Sequence, residues 1–382
     1  MTKDSGMYDI CAVTTIHRDL DNRIYYRQLK VLSSAGLTCS VIAPWSEGVT
    51  DKDGIDLIPT LMPRSRLSRA AHTVSTLLKA IKVKTAVYIF HDPDFLLAAV
   101  ALKLITRKTV IYDCHENIPE DIRYGGKPWI PSWLRVPLSK IFQGVEQLCA
   151  KNLNAVMCVV PHQQNRFNKC GVNAFLFRNF CSLDPDSSFM RDYTKLLYTG
   201  TISKNYGAEF LIDLGRAIKL SEKPYSITIS DYFGLDTSYR SEFLSLIKDE
   251  DLPFVVKQPV FADELNALAG DCGIGLVILE PTFNKLLTYP TKLFEYMRLG
   301  IYPVSVNVGY AKEILENGRL GELCQYNDTD AWLLAFDRIL HNSESRDKTL
   351  EKIKDVDDSL YSWLNEKEKF IAFIKSYVQR KK

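Results

Sequence analysis

Short apolar, β-rich runs alternate with amphipathic helical stretches along nearly the whole chain. The first series begins YDICAVTT (8–15), a helical stretch from about Asn22 to Ser34, and TCSVIAP (38–44). Past a polar loop come TAVYIFHD (85–92), a helical PDFLLAAVALKLI and KTVIYDCHE (108–116). A long helical stretch over 132–153, then NAVMCVV (154–160) and AFLFRNF (174–180), close the series. Strands that are apolar at every position, rather than every second one, are covered on both faces. With helices between them they predict a parallel sheet.

The pattern then restarts: KLLYTGTIS (195–203), helix 207–220, YSITIS (225–230), helix 237–248, PFVVKQPV (253–260), helix 262–269, CGIGLVIL (272–279), helix 291–299 and IYPVSVN (301–307). The polar CSLDPDSSFMRDYT between the two series reads as a linker. The expectation is two tandem, doubly wound α/β domains of Rossmann-like type, over 1–183 and 192–358. Such domains take ligands at the carboxyl ends of their strands, and two that face each other leave a cleft. The last stretch, 356–380, places Leu360, Trp363, Leu364, Phe370, Ile371, Phe373 and Ile374 at helical spacing. One apolar stripe of that kind needs a surface to pack on, so 359–382 is expected to be a docked terminal helix.

Composition changes this picture little. The 382 residues are 46% hydrophobic and 25% charged, an ordinary globular balance with room for two cores. No run of 18 apolar residues appears, and MTKDSGMYDICAV lacks the order of a signal peptide. Nine cysteines without a C-x-x-C spacing read as reduced core residues of a cytosolic protein, not as zinc ligands. Charge is uneven. Residues 1–180 hold 23 Lys and Arg against 15 Asp and Glu, and residues 181–382 hold 25 against 31. A basic first half suits an anionic membrane or an acidic substrate, or is simply a set of solvated helix faces.

Candidate chemistry concentrates in YPTKLFEYMRLGIYPVSV (289–306). Pro290 fits a helix start and Gly300 its end, with Leu293, Phe294, Met297 and Leu299 as the buried face. A helix start with free amides and a positive dipole end seats phosphate, and Lys292 adds a cation to it. Glu295, four residues after Thr291, can accept from neighbouring hydroxyls such as those of ribose, or merely complement the dipole. In the first series, His91 and Asp92, then His115 and Glu116, follow strand ends. They offer a general base for a hydroxyl, groups that hold a sugar, or hydrogen-bonded structural residues. RYGGKPWIPSWLRVPLSK (123–140) mixes Arg123, Lys127, Arg135 and Lys140 with Trp129, Ile130, Trp133 and Leu134. That mixture suits a membrane interface or a loop tucked onto its own domain. No basic stripe or module for nucleic acid appears.

Pro290, Lys292, Glu295, Met297, Gly300, Pro303 and Val304 together resemble the donor-site signature of glycosyltransferases of GT-B architecture, in particular the family-4-like group. LLYTGTISKNYGAEFLIDLGRAI (196–218) is similar to that group's first strand–loop–helix of the donor domain, with Gly200, Ser203, Lys204 and Gly207 in the loop. DNRIYYRQLKVLSSAGLTCSVIAP resembles its opening, which sets Asp21 and Arg23 at the cleft edge, and IFHDPD and YDCHE resemble its first-domain strand ends. The terminal helix resembles one that crosses back to the first domain. The chain departs from the pattern where a glutamate is usual, at Leu287, and where Arg and Lys are usual, at Thr201 and Tyr206.

The resemblance implies a GT-B enzyme that moves a hexosyl unit from a UDP- or GDP-linked sugar to a glycan hydroxyl, with a lipid-linked acceptor at the inner membrane face as the expectation. Glu295 would hold the ribose, Lys292 the diphosphate, and Gly200, Thr201, Ser203, Lys204 and Thr291 the rest of the donor. His115 would contact the transferred sugar. No cofactor or metal is expected, and the course is expected to be retaining. A non-catalytic glycosyltransferase-like subunit, or an epimerase or phosphorylase on the same architecture, are the alternatives that the departures leave open.

Overall fold

The computed structural model describes residues 7–17, 21–44, 51–63, 65–127, 129–186, 188–233, 237–260, 264–282 and 286–379. The chain divides into two compact units, one of residues 1–179 with 364–382 and the other of residues 180–363.

Eight strands make the sheet of the first unit: β1 (Tyr8–Val13), β2 (Cys39–Pro44), β3 (Asp51–Lys52), β4 (Ile55–Thr60), β5 (Thr85–Phe90), β6 (Thr109–Cys114), β7 (Ala155–Cys158) and β8 (Ala174–Leu176). They run β3-β4-β2-β1-β5-β6-β7-β8, parallel except for the short β3–β4 hairpin. The chain leaves β1 towards β2 and leaves β5 towards β6, in opposite directions. The adjoining carboxyl ends of β1 and β5 are therefore a topological switch point, where doubly wound sheets leave room for ligands. Every residue of β2, β5, β6 and β7 is buried, as the continuous apolar runs require. Phe90 and Tyr112 stack on neighbouring strands with centroids 4.8 Å apart, over a core that Leu96, Ala99, Leu102 and Cys149 complete from the helices.

The second unit has six parallel strands: β9 (Asp192–Tyr198), β10 (Ser226–Ser230), β11 (Phe254–Lys257), β12 (Cys272–Val277), β13 (Tyr302–Val306) and β14 (Glu322–Cys324). Their order β11-β10-β9-β12-β13-β14 again reverses once, between β9 and β12. Phe210, Ile229, Leu276 and Trp332 fill one side of the sheet, and Leu197, Val277, Leu293 and Phe294 the other. The two Rossmann-like domains expected from the alternation are present.

Three elements differ from expectation. The polar segment before residue 85 holds a strand, β4, and a helix, Arg66–Lys82. The three-residue β14 was too short to register as a run. The terminal stretch is the end of one helix, Ser343–Ser359, and a second helix, Trp363–Val378. Only the second docks on the first unit. Phe370 stacks on Phe177 at 4.3 Å and Phe373 on Phe175 at 4.2 Å. The buried carboxylate of Glu366 accepts from the Arg178 amide at 2.7 Å and pairs with its guanidinium at 2.9 Å. Leu360 and Leu364, expected in the stripe, are exposed. All nine cysteines are free, and all but Cys170 are buried. Among the described residues no helix is long and apolar enough to cross a membrane.

Candidate functional site

The switch point of the second unit gathers the loop after β9 and the helix Thr291–Arg298. Tyr296 fixes their mutual position. Its ring lies against Gly275 of β12, where a Cβ would collide with it. Its hydroxyl accepts from the Thr199 amide at 3.0 Å and can donate to the Leu197 carbonyl at 3.2 Å. Gly200 then turns at φ +106°, a left-handed conformation that side chains resist, and a Cβ there would run into the Lys292 side chain. The loop therefore needs glycine both for its turn and to let the lysine pass.

Lys292 lies with its ammonium 3.9 Å from the centroid of the Tyr198 ring, a cation–π geometry. Desolvation in this seat lowers its pKa from 10.5 to about 7, with Glu295, one turn on, pulling the other way. Glu295 accepts a long contact from the Thr199 hydroxyl at 3.5 Å. Thr291, Lys292 and Glu295 are all half-buried, so the helix start is reachable rather than sealed in the core. Pro290, the residue before it, lacks an amide hydrogen, and the first-turn amides of Thr291 and Lys292 start the helix. The site offers amides, one partly discharged lysine and a carboxylate, the complement of a phosphate joined to a polyol.

The other donor-loop residues are less uniform. Thr201 and Ser203 are half-buried beside Gly200, and the Thr201 carbonyl accepts from the Tyr198 hydroxyl at 3.5 Å. Gly207, at φ +77°, opens the helix Ala208–Leu220 and packs against Ile278. Lys204 departs from expectation. Its ammonium lies 3.9 Å from Glu209 and 5.3 Å over the Tyr239 ring, on the exposed side of the loop. Leu287 is half-buried and Tyr206 exposed.

In the first unit the expected residues cluster at the carboxyl ends of β1, β5 and β6, but around a residue that sequence reasoning passed over. Asp113, fully buried on β6, accepts from one edge of the Arg23 guanidinium, Nε to Oδ2 at 2.7 Å and Nη2 to Oδ1 at 2.6 Å. His91 Nδ1 donates to the same carboxylate at 3.0 Å, and Gln28 at 2.7 Å. Burial alone would raise the Asp113 pKa, but Arg23 and His91 outweigh it and hold the carboxyl well below the usual range. Arg23 is thus buried, not at an edge, and His91 is a buried ring whose Nε2 has no hydrogen-bond partner among the described residues. Asp92 is buried as well. It accepts from the Thr14 hydroxyl at 2.7 Å and the Thr15 amide at 2.5 Å, which ties the loop after β1 to that after β5. His91 and Asp92 are thus both enclosed within the first unit rather than exposed at their strand end.

His17 is the second residue missed. Its Nδ1 lies 3.3 Å from Asp21 and its Nε2 3.4 Å from Asp92. Burial would lower its pKa, but Asp21, Asp92 and Glu116 overcome that and raise it from 6.5 to about 9. Asp21 also caps the helical segment Asn22–Leu29, accepting from the Arg23 amide at 2.8 Å and the Ile24 amide at 3.0 Å. His115 behaves oppositely. Its ring sits 5.1 Å from that of His17 and half-buried, and desolvation, opposed by Asp113 but reinforced by Arg23 and His17, lowers its pKa to about 4. A neutral imidazole therefore stands beside an imidazolium, with exposed Glu116 next in the chain. The signal for Asp113 lies in the YDCHE run, but an acid inside a strand gives no local sign of its partners.

The 129–134 segment is split. Trp129 and Trp133 are exposed, whereas Ile130 is buried and Leu134 half-buried in a small cluster with Ile118 and Ile122. Ile130 is therefore not a membrane contact.

The fold has counterparts among known proteins. Residues 184–356 match the family of glycosyl transferases group 1. No curated protein sequence matches the chain. Among solved structures, a sucrose-phosphate synthase from Thermosynechococcus elongatus superposes with a TM-score of 0.74 at 14% identity, covering 96% of this chain and 98% of that one. HepE from Anabaena, solved with UDP and glucose, gives 0.69 at 11% identity, covering 97% and 100%. The lipopolysaccharide outer core galactosyltransferase WaaB gives 0.58 at 13% identity, covering 96% and 99%. The fold is that of GT-B glycosyltransferases.

Proposed function

We propose that this GT-B chain, whose residues 184–356 form a glycosyl transferases group 1 domain, moves a hexosyl unit from a UDP-linked sugar to a hydroxyl of a lipid-linked glycan. The observation that carries the reading is the seat of Lys292 over Tyr198 beside Gly200, with Glu295 one turn along the same helix. Neighbours solved with UDP and UDP-glucose support the choice of nucleotide.

In this reading the diphosphate lies against the start of the helix Thr291–Arg298 and the ribose hydroxyls donate to Glu295. As the glycosidic bond breaks, the departing phosphate gains charge, which the amides and Lys292 stabilise without reorganising. The same phosphate oxygen takes the proton of the attacking hydroxyl, which gives a retaining course without an obligatory side-chain base. His115, neutral at physiological pH, accepts from or donates to a sugar hydroxyl. No resident metal enters. His17, His115 and Glu116 bring ligand atoms within 4.8 Å of one another, as do His91, Asp113 and His115. In each set one residue is already engaged, His17 with Asp21 and Asp92, and Asp113 with Arg23, His91 and Gln28.

Calorimetric titration with UDP tests the reading. Glu295→Ala is expected to weaken binding by about 1.5–3 kcal/mol, the loss of hydrogen bonds to a charged acceptor. Unchanged affinity removes Glu295 from the site. Failure of the native chain to bind any nucleotide favours a non-catalytic partner subunit instead.

A further inference from the structure

Three helices of the first unit, Arg66–Lys82, Leu96–Thr106 and Ser132–Lys151, cross over between β4 and β7 and pack side by side in that order. Their inner faces close the core with Leu102, Ala80 and Cys149. Their outer faces are not the polar surface such helices normally show. Val74 and Leu78 stand one turn apart on the first. Leu97, Leu104 and Ile105 protrude from the second, with Leu97 and Leu104 70% and 72% exposed. Trp133, Ile141, Val145 and Leu148 form one stripe along the third, Trp133 being 75% exposed. Isolated surface leucines need no account, but exposed apolar side chains on three helices packed side by side call for one.

Charge on these helices is one-sided. They contain eight Lys and Arg and a single acid, Glu146, which is fully buried and paired with Arg166 at 2.8 Å. Exposed Lys79, Lys82, Lys84, Arg107, Lys140 and Lys151 border the apolar patch, four of them at or just past helix carboxyl ends. The helix Ser343–Ser359 of the second unit makes the contrast. It is a surface helix of similar length that carries six acids and none of the exposed large hydrophobic residues.

We infer that this three-helix face docks the protein on an anionic lipid bilayer, with Leu97, Leu104, Trp133 and Ile141 entering the interface and the bordering lysines meeting lipid phosphates. A protein partner would be expected to meet some acids of the patch with its own cations, but these helices carry no exposed acid, and Asp94, just before the second, is already paired with Arg69 of the first at 2.7 Å. An anionic, apolar, laterally uniform surface matches all three features. The inference stands apart from the donor-site reading, because docking requires neither nucleotide nor sugar.

Flotation of the full chain with vesicles tests it. Vesicles of equal parts phosphatidylglycerol and phosphatidylcholine are expected to carry the protein at low salt, and phosphatidylcholine alone to carry far less. Raising salt by an order of magnitude releases it. The double variant Leu104→Glu/Ile141→Glu, at exposed positions, is expected to lose about tenfold or more in vesicle affinity while keeping its circular dichroism and UDP binding. Lys82→Glu/Lys84→Glu should lose affinity for the anionic vesicles only. Absence of flotation with anionic vesicles, or equal flotation of the double variant, overturns the inference. So does light scattering that shows a native dimer which the double variant breaks, since the face would then be an interface between copies of this chain.

Discussion

The two units place charge at equivalent points of equivalent sheets and use it in opposite ways. At the switch point of the first, Asp113 is enclosed by Arg23, His91 and Gln28, and Asp92 is held by Thr14, Thr15 and His17, so the acids are engaged from within. At the switch point of the second, Lys292 rests on an aromatic ring and its pKa falls to about 7. A cation kept so poorly solvated gains most from an anion that arrives from outside. The first arrangement holds loops in place; the second, on the proposed reading, awaits a ligand. Chemistry-bearing residues at the same topological position therefore need not share a role, and hydrogen-bond accounting separates the two cases better than residue type does.

Removing one cation from each centre breaks the comparison most sharply. Arg23→Met leaves the buried Asp113 carboxylate without its bidentate partner, and urea denaturation should show a loss of about 3–5 kcal/mol in the first unit. Lys292→Met should do the reverse in the second. It removes a desolvated ammonium from beside Tyr198, so the ligand-free protein is expected to be at least as stable, while UDP affinity falls at least tenfold. If Lys292→Met destabilises as Arg23→Met does, the lysine is a structural ion and the donor reading loses its main support.

The difference in origin explains which centre the sequence displayed. Gly200, Lys292 and Glu295 sit in short motifs, each legible because a glycine turn and a helix start are local events. Asp113 meets Arg23 and Gln28 only after β1, β5 and β6 are in register, across 90 and 85 residues of chain. No local pattern announces that. The same logic governs the fold. Strands such as β5 and β12 are legible because they carry no charge and are buried at every position, whereas β4 carries Asp56 and Pro59 and falls in a stretch that reads as polar loop. The break at 360–362 has neither proline nor glycine to mark it, so two helices were read as one.

Titration should sharpen the contrast. His17 rises from 6.5 to about 9 in the folded first unit, so its stabilising contribution is complete below pH 6.5 and fades as pH climbs through 9. Lys292 falls from 10.5 to about 7, so the unfolded second unit binds more protons between those values and its stability rises with pH across that window. Thermal unfolding followed by probes in each unit should show midpoints moving in opposite directions between pH 7 and 9. UDP binding at pH 8 should take up a proton as the diphosphate recharges Lys292. Calorimetry in buffers of different ionisation enthalpy reads that uptake directly, and none at all would mean that the lysine does not meet the ligand.

The smallest expected effect belongs to Lys204, which the sequence offered as a second cation for the phosphates. In the structure it reaches Glu209 at 3.9 Å and the Tyr239 ring at 5.3 Å, on the exposed side of the loop. An exposed pair at that distance contributes about 0–0.5 kcal/mol to stability, since solvent and salt screen it. Lys204→Ala should therefore leave unfolding nearly unchanged, and UDP affinity should fall by less than Lys292→Met lowers it. A loss as large as that of Lys292→Met would mean that the loop after β9 swings Lys204 inward when nucleotide binds. The second unit would then use two lysines, one already seated and one recruited.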